Sequence, residues 1–471
     1  MINHIIKWTL ISLLIFTPIA FGSMELWAFS LMELVIFSII VLGTLRWAFR
    51  PPPETGDAGD PVFSKKWAMP ALFLIFFLLF VFFQMVPLPS ELLKILSPKT
   101  YALRKFLIFV DHQSTIRNPQ FAISFVPFAT QIEFFKWFSL IALFLFLLKW
   151  RPLEKGRGTL ISVIIFIGIL ETLYGIVEFS SGHRHILNLD ASSIVSSVTG
   201  TFINRNYFAG YLLMAIPLAV GYLFHRESHE GDPFGSWYRR LSSIDGKTYF
   251  LAFGVILMIL GLLLSASRMG MVSLLLSFTV VVPLFRNRGK KERFSRLPGL
   301  FLGLAVVWAA WIGLDAVISR FFTAAEDLSR RREIWADTLQ IIGDFPLLGS
   351  GLGTFAQIFP AYRSFHVEGI VTHAENDFLQ LVSEVGLVGT GLLTVAFLFL
   401  FRRALSGIRE LSLDDSQRYI GIGGLVGILG LMFHSIVERN IQVPANAFLY
   451  TFLLAMILGI RGRKGKAEFA S

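Results

Sequence analysis

The sequence lacks cysteine altogether and is poor in charged residues. The absence of cysteine excludes disulfides, cysteine metal sites and thiol catalysis. Only 16% of the 471 residues are charged, whereas a soluble domain carries about 25%. There is no H-E-x-x-H motif, and no acidic pair of the D-x-D kind lies in a loop predicted to face outward, since Asp414-Asp415 falls inside. The sequence therefore carries neither of these two metal-binding motifs.

Long apolar runs take the place of charge. Hydrophobic residues make up 54% of the chain, Phe occurs 48 times, and the mean hydropathy is +0.66. The runs are about 18–25 residues long, which is enough for a helix to cross a bilayer core of about 30 Å. Because lipid permits only helices or closed barrels, and these runs are too long for strands, we expect an all-α polytopic membrane protein. We predict about twelve transmembrane helices, near residues 5–22, 26–48, 67–86, 131–149, 159–179, 207–224, 249–265, 269–285, 299–318, 377–401, 419–438 and 443–460.

The distribution of Lys and Arg predicts the orientation of these spans. With the N-terminus inside, most of the 42 basic residues fall in cytoplasmic loops, including the runs at 286–296 and 461–466. The first span has no small-residue cleavage site, so we interpret it as a retained helix. We therefore expect both termini in the cytoplasm. The net charge of +10 then reflects topology and attraction to membrane lipid, with no nucleic-acid partner.

The outward loops are longer than the inner ones. We predict nine transmembrane helices with short loops in 1–318, a periplasmic helical subdomain in 319–376, and three helices plus a cytoplasmic tail in 377–471. Within the subdomain, helical spacing predicts an amphipathic helix over Arg331–Phe345, ended by Pro346 and lying on the membrane surface. The apolar residues that it should bring together are Ile334, Trp335, Leu339, Ile342 and Phe345.

A glycine-rich stretch, Pro346–Thr354, follows this helix. No Lys-Ser/Thr pair follows it and no strand precedes it, so it is not a phosphate-loop motif. Two interpretations stay open: a turn leading to the next helix, or backbone N–H groups that cradle a diphosphate.

Charged side chains collect at the predicted outer ends of the spans. Arg268 stands between two apolar runs, where it either snorkels at a helix end or binds a ligand. Arg205, Arg331, His373 and Glu375 are predicted on the same side. The charged fork of arginine suits phosphate oxygens. We predict that Arg268, Arg331 and His373 converge around one outer cavity.

Four segments resemble motifs of the O-antigen ligase and O-antigen polymerase superfamily of polytopic bacterial membrane glycosyltransferases. Residues 200–210 are similar to its GTF-x-N-x-N-x-x-AG stretch, and Leu264–Arg268 to its serine-rich SR junction. Residues 331–355 are similar to its R-x-x-x-W helix and PLLG-x-G-x-G-x-F turn. Residues 373–389 are similar to its H-x-x-N-x-x-L and E-x-G-x-x-G run, and 434–447 match more weakly. The order and spacing of these segments carry the resemblance.

The resemblance implies transfer of a glycan from a polyprenyl diphosphate carrier to an acceptor hydroxyl, on a glycan or a lipid, with no metal, nucleotide or other cofactor. It implies the bacterial inner membrane, with the active face periplasmic. The competing function is a lipid-linked oligosaccharide flippase, which we expect to show matched halves, broken helices and charges deep within spans. No matched halves are visible, and the arginines collect at one face, so the sequence favours an enzyme.

The candidate site follows from this chemistry. The departing diphosphate needs fixed positive charge, which we assign to Arg268 as a catalytic residue. The acceptor hydroxyl needs a base within hydrogen-bonding distance, and His373 and Glu375 are the catalytic candidates. The residues predicted to bind the substrate or its diphosphate are Arg205, Arg331, Arg332, Asn376, His434 and Glu438.

Several of these residues also have structural interpretations. In ligases a histidine directly precedes the Asn, Ser or Gln that stands before a nine-residue gap and G-x-x-G. Here Glu375 holds that position and His373 lies two residues earlier. This departure weakens a strict ligase assignment and favours a polymerase or a ligase-like relative, although the sequence does not decide between ligase and polymerase. Thr372–Glu375 also matches a capping box at the start of a helix. His434 and Glu438 lie four apart, which predicts one helix face and either contact with sugar hydroxyls or an interhelical hydrogen bond.

Overall fold

The described residues are almost entirely helical, as the apolar runs predict. The computed structural model describes residues 2–49, 65–110, 121–150, 152–182, 185–187, 189–190, 197–230, 245–285, 314–366, 369–412 and 415–460. One short antiparallel hairpin pairs His185–Ile186 (β1) with Leu189–Asp190 (β2). The basic run at 286–296, most of the predicted span at 299–318 and the tail at 461–471 lie outside the described residues.

The described helices follow the order of the predicted spans. They are α1 (Ile2–Ile19), α2 (Leu26–Ala48), α3 (Lys65–Met85), α4 (Ser90–Leu96), α5 (Pro98–Val110), α6 (Pro127–Lys149), α7 (Pro152–Ser181), α8 (Arg205–Glu230), α9 (Gly246–Leu264), α10 (Arg268–Leu284), α11 (Leu314–Asp344), α12 (Phe355–Ile358), α13 (Asp377–Arg409), α14 (Gln417–His434) and α15 (Pro444–Leu458). Short 3₁₀ turns occupy Phe21–Ser23 and Phe359–Ala361.

Every predicted span within the described residues coincides with a helix. By length and composition, eight helices in this part of the chain can cross a membrane, namely α1, α2, α3, α6, α7, α8, α9 and α13. The apolar helices α10 and α15 are shorter, with 17 and 15 residues. The all-α, multi-pass fold is therefore confirmed, while the total of about twelve spans stays a prediction.

The chain divides into two compact units. The first comprises Met1–Pro52, Ala142–Leu314 and Phe401–Ser471, and the second comprises Pro53–Ile141 and Asp315–Leu400. The division falls within α6 and α13. The three-part organisation expected from the sequence, with a periplasmic subdomain at 319–376, stays a prediction.

In the first unit, α8 and α14 pack backbone against backbone. A methyl group on Gly423 would lie 2.2 Å from the carbonyl oxygen of Pro217, and one on Gly221 would lie 2.4 Å from that of Tyr419. Small residues permit such close approach between membrane helices, whose association depends on packing and hydrogen bonds. In the membrane-length portion of α8, 78% of the residues are buried. It is therefore a central helix of this unit, and its first residue is Arg205.

In the second unit, α13 is interrupted at Gly386, inside what the sequence predicted as a continuous span. Gly386 has φ 62° and ψ −173°, a conformation that is essentially restricted to glycine. The N–H groups of the next two residues donate to the carbonyls of Pro346 and Leu347, at 2.9 and 3.1 Å. Non-helical backbone at membrane depth persists only where protein or trapped water satisfies its polar groups. The Pro346–Thr354 stretch meets that requirement here.

Gly386→Ala is expected to destabilise the protein strongly. A Cβ at this position would lie 2.2 Å from the carbonyl oxygen of Leu347, in addition to the unfavourable backbone angles. We expect a loss of about 2–4 kcal/mol, measured as a lower unfolding midpoint of the detergent-purified protein. The control is Gly391→Ala in the same helix, where a methyl group would meet nothing within 4 Å. Equal midpoints for the two variants would contradict this account of the break.

The helix predicted at Arg331–Phe345 belongs to the longer α11, which ends before Pro346 as expected. Ile334 and Ile341 on α11 are buried together with Phe345, but Leu339 is 56% exposed, so its predicted place on this face is wrong. At 3.6 residues per turn, Leu339 lies about 140° around the helix from Ile334. The buried side packs against a cluster that also contains Phe355, Ile358, Phe359 and Ala374.

The segment between the predicted spans 67–86 and 131–149 contains α4 and α5, which the sequence did not reveal. Lys99 at the start of α5 forms an ion pair with Asp344 at the end of α11, at 2.7 Å. The hydroxyl of Tyr362 donates to the same carboxylate oxygen at 2.6 Å. Burial alone would raise the pKa of Asp344, but these two donors hold it below its ordinary value. The charged carboxylate thus ties α5, α11 and the turn after α12 together.

Candidate functional site

Three of the segments that carry the resemblance meet at one end of the first unit. Arg268 is the first residue of α10, and Ser267 is the N-cap residue before it. His434 ends α14, and its Nε2 lies 3.5 Å from the hydroxyl oxygen of Ser267. Asn446 in the first turn of α15 donates from Nδ2 to the carbonyl of Tyr207 in the first turn of α8, at 3.0 Å. The helix ends around Arg268 therefore belong to one polar cluster.

Asn440 and Asn446 complete this cluster, although the sequence did not mark them as site residues. The side-chain amide of Asn440 lies 3.1 Å from Nδ1 of His434, and Asn446 Nδ2 donates to Asn440 Oδ1 at 3.3 Å. All three side chains are fully buried. Such polar groups in a membrane protein hydrogen-bond between helices. The signal for Asn446 was its position within an otherwise apolar predicted span.

The other candidate residues of the first unit differ in exposure. Arg268 is exposed and Arg205 is half-buried at the start of α8, whereas Glu438 is only 4% exposed. The prediction that His434 and Glu438 share one helix face is wrong. The helix ends at His434, because turn hydrogen bonds within 433–437 replace the helical ones and residues 435–437 form turns.

Glu171 in α7 is a further residue that sequence reasoning missed. Its carboxyl group is 2% exposed, accepts the backbone N–H of Thr201 at 2.8 Å, and contacts the Thr201 hydroxyl at 2.8 Å. That hydroxyl also donates to the carbonyl of Pro18 at 2.9 Å. Glu171 thus fixes the GTF segment just ahead of Arg205. The available signal was a carboxylate within a predicted span, which is rare and usually functional.

In the second unit, Asn376 is the N-cap of α13. Its side-chain oxygen accepts the backbone N–H groups of Phe378 and Leu379 at 3.0 and 2.9 Å. The capping box predicted for Thr372–Glu375 is therefore wrong, because α13 begins at Asp377, five residues after the proposed cap. Glu375 is left without the structural role that competed with catalysis.

Ala374 is held by both of its backbone polar groups. Its carbonyl accepts a hydrogen bond from Trp335 Nε1 at 3.0 Å, and its N–H donates to Gln380 Oε1 at 3.1 Å. Gln380 in turn donates from Nε2 to Glu384 at 3.0 Å. Ala374 itself is fully buried. The two catalytic candidates on either side of it, both half-buried, are thereby fixed at their backbones.

The R-x-x-x-W helix carries the candidate arginines toward this segment. Arg331 precedes Trp335 by four residues, so the two side chains lie on one face of α11, one turn apart. Arg331 is half-buried, whereas Arg330 and Arg332 on either side of it are exposed. Because Trp335 bonds to Ala374, the face that bears Arg331 is directed toward the His373–Asn376 segment.

The glycine-rich stretch encloses Glu384, a buried residue of the E-x-G-x-x-G motif to which the sequence gave no role. The N–H groups of Gly353 and Phe355 donate to its carboxylate at 2.9 and 3.3 Å, and that of Leu352 donates to Gln84 at 3.2 Å. Every backbone N–H from 349 to 355 has a protein acceptor. These partners favour the turn interpretation, since a diphosphate would have to displace Glu384.

Two candidate positions have left-handed backbone without being glycine. Ala266, two residues before Arg268, has φ 54°, and Glu375 has φ 50°. Such a conformation costs a non-glycine residue about 1–3 kcal/mol and persists only where surrounding contacts enforce it. Strained backbone of this kind clusters at functional sites. It therefore supports the SR junction and the His373–Asn376 segment as candidate site elements.

Residues 253–394 match the family model described as O-antigen ligase. This segment of the chain is similar to the O-antigen ligase family. The resemblance seen in the sequence is thus confirmed. No curated protein matches the chain.

The O-antigen ligase segment contains candidate residues from both units. Arg268 lies in the first unit, and Arg331, Arg332, His373, Glu375 and Asn376 lie in the second. The convergence of Arg268, Arg331 and His373 on one cavity therefore stays a prediction. Among the residues that the structure describes, no three His, Asp or Glu side chains are grouped as metal ligands.

Proposed function

We propose that this protein transfers a glycan from a polyprenyl diphosphate carrier to an acceptor hydroxyl at the periplasmic face of the inner membrane. The observation that carries the proposal is the O-antigen ligase match, because residues 253–394 contain Arg268, Arg331, His373 and Glu375. The positive-inside distribution of basic residues supports the orientation, with both termini in the cytoplasm.

The proposed reaction is a single displacement at the anomeric carbon. The acceptor oxygen forms the new glycosidic bond, the bond to the diphosphate oxygen breaks, and the acceptor proton passes to a base. Arg268 is proposed to stabilise the charge that grows on the departing diphosphate. His373 and Glu375 are the proposed bases, while the substrate is held by Arg205, Arg331, Arg332, Asn376, His434 and Glu438.

A transfer assay tests this proposal. The purified protein is supplied with a defined polyprenyl diphosphate oligosaccharide, with and without lipid A core, and the products are read by mass spectrometry. Transfer to the core would make the protein a ligase, and lengthening on the carrier would make it a polymerase. The departure at Glu375 from the ligase pattern leaves both open.

One structural observation favours the second candidate, a lipid-linked oligosaccharide flippase. Broken helices are typical of transporters, and α13 is broken at Gly386. The N–H groups freed by this break are satisfied by the Pro346–Thr354 stretch, which indicates a fixed structural joint. Movement of the donor across a vesicle membrane without any transferred product would favour the flippase.

Gln380→Met is expected to lower the transfer rate about ten- to a hundredfold in a protein that still folds. Methionine keeps the shape of glutamine, but it breaks the hydrogen bonds to Ala374 and Glu384 that fix the catalytic candidates. The matched control is Ser383→Ala on the same helix, whose buried hydroxyl donates, among the described residues, to the Gln380 carbonyl alone. The measurement is kcat in the transfer assay. Equal losses in both variants would refute the positioning role.

A further inference from the structure

The buried row Asn446–Asn440–His434 has a direction that its first hydrogen bond determines. A backbone carbonyl can only accept, so the group of Asn446 that faces the Tyr207 carbonyl at 3.0 Å must be its NH₂. The same NH₂ lies 3.3 Å from Asn440, which must therefore present its oxygen. The other end of the Asn440 amide, its NH₂, then faces His434 Nδ1 at 3.1 Å.

This direction determines which nitrogen of His434 carries the proton. Because Nδ1 accepts a hydrogen bond from Asn440, it has no proton of its own. The imidazole is therefore neutral, with its proton on Nε2. Nε2 faces the hydroxyl oxygen of Ser267 at 3.5 Å. Ser267 is the N-cap of α10, yet its side chain makes no capping bond to the helix.

We infer that Asn446 and Asn440 hold His434 as the neutral Nε2–H tautomer, so that His434 donates to Ser267 and positions the turn that carries Arg268. His434 is then a positioning residue that neither accepts a proton nor touches the substrate, and this role replaces the substrate contact proposed for it above. The left-handed backbone of Ala266 in the same turn needs such an external support. This inference rests on the proposed function, because Arg268 is assigned to the substrate diphosphate only there.

Asn440→Asp reverses only the last hydrogen bond of the row, the one to His434, with almost no change in shape. A carboxylate at this position still accepts from Asn446, but it cannot donate to Nδ1 and instead draws a proton onto it. We expect the transfer rate to fall about ten- to a hundredfold. The double variant Asn440→Asp/His434→Gln should be no slower than His434→Gln alone, because the aspartate acts through the imidazole. Additive losses would overturn the inference, since they would indicate a general effect of the buried charge.

The tautomer is also measured without any assay of transfer. Long-range ¹H–¹⁵N correlation spectra of histidine-labelled protein in detergent distinguish protonated from bare ring nitrogens, and His434→Gln identifies the signals of His434. We expect a bare Nδ1 and a protonated Nε2 in the parent, and a protonated Nδ1 in Asn440→Asp. A protonated Nδ1 in the parent would overturn the inference. A parent with the expected tautomer but no transfer would instead defeat the proposed function.

The contact between His434 and Ser267 is tested by Ser267→Ala, with Ser277→Ala as its matched control. Ser277 is a buried serine on α10, ten residues after Ser267, and its hydroxyl bonds to the carbonyl of Leu274 at 2.8 Å. We expect Ser267→Ala to slow transfer about tenfold or more, whereas Ser277→Ala should leave the rate unchanged. Equal rates in the two variants would show that His434 does not act through Ser267.

Discussion

Arg268→Lys is expected to lose about a hundredfold in transfer rate while the protein folds normally. Lysine keeps the positive charge but not the planar fork that binds two phosphate oxygens at once. Loss of one such preorganised donor typically costs about a hundred- to a thousandfold in kcat. Arg268 is exposed at the start of α10, so its replacement removes no core packing. The measurement is kcat beside the unfolding midpoint.

Arg226→Lys is the matched control for this experiment. Arg226 is paired with Asp245 at 2.8 Å, and a lysine can keep that ion pair. Its transfer rate should equal that of the parent. If purified Arg268→Lys also transferred glycan at the parental rate, the assignment of the leaving group to Arg268 would have to be withdrawn.

Glu375→Gln is expected to lower kcat about a hundred- to ten-thousandfold, the usual contribution of a general base. Glutamine has nearly the same shape, but it cannot take up the acceptor proton. The competing explanation of a capping residue no longer applies, since Asn376 caps α13. An active Glu375→Gln beside an inactive His373→Ala would transfer the role of base to His373.

Glu375→Gly separates catalysis from stability at the same position. Glycine adopts φ 50° without strain, so this variant should unfold at a higher temperature, with a gain of about 1 kcal/mol. It should nevertheless be as inactive as Glu375→Gln. A less stable Glu375→Gly would show that the side chain contributes to folding, and it would weaken the view that strain is tolerated there for function.

The helices could be predicted because membrane spans depend on composition, which the sequence shows directly. The predicted span 26–48 coincides with α2, and 67–86 differs from the end of α3 by one residue. The ends were less predictable. The predicted span 419–438 overran the end of α14 at His434, because tertiary hydrogen bonds and turns fix that end and hydropathy does not register them.

The contacts that build the candidate site lay beyond sequence reasoning because their partners are far apart in the chain. Gln84 donates to the carbonyl of Glu384 at 3.1 Å, although 300 positions separate them. The motifs around Arg268 and Glu375 lie within the segment that matches the O-antigen ligase family, and their role in the site stays a prediction. The motifs could not show which residues hold these segments in place by hydrogen bonds. Glu171 bonds to the GTF segment, and Gln380 bonds to Ala374.

The most direct test of the account is transfer by the purified protein from a defined polyprenyl diphosphate oligosaccharide, compared between the parent and Arg268→Lys. We expect a transferred or lengthened glycan with release of the polyprenyl diphosphate, and about a hundredfold slower reaction in the variant. A parent that binds the donor and moves it across the membrane, but never breaks the bond between sugar and diphosphate, would contradict the account.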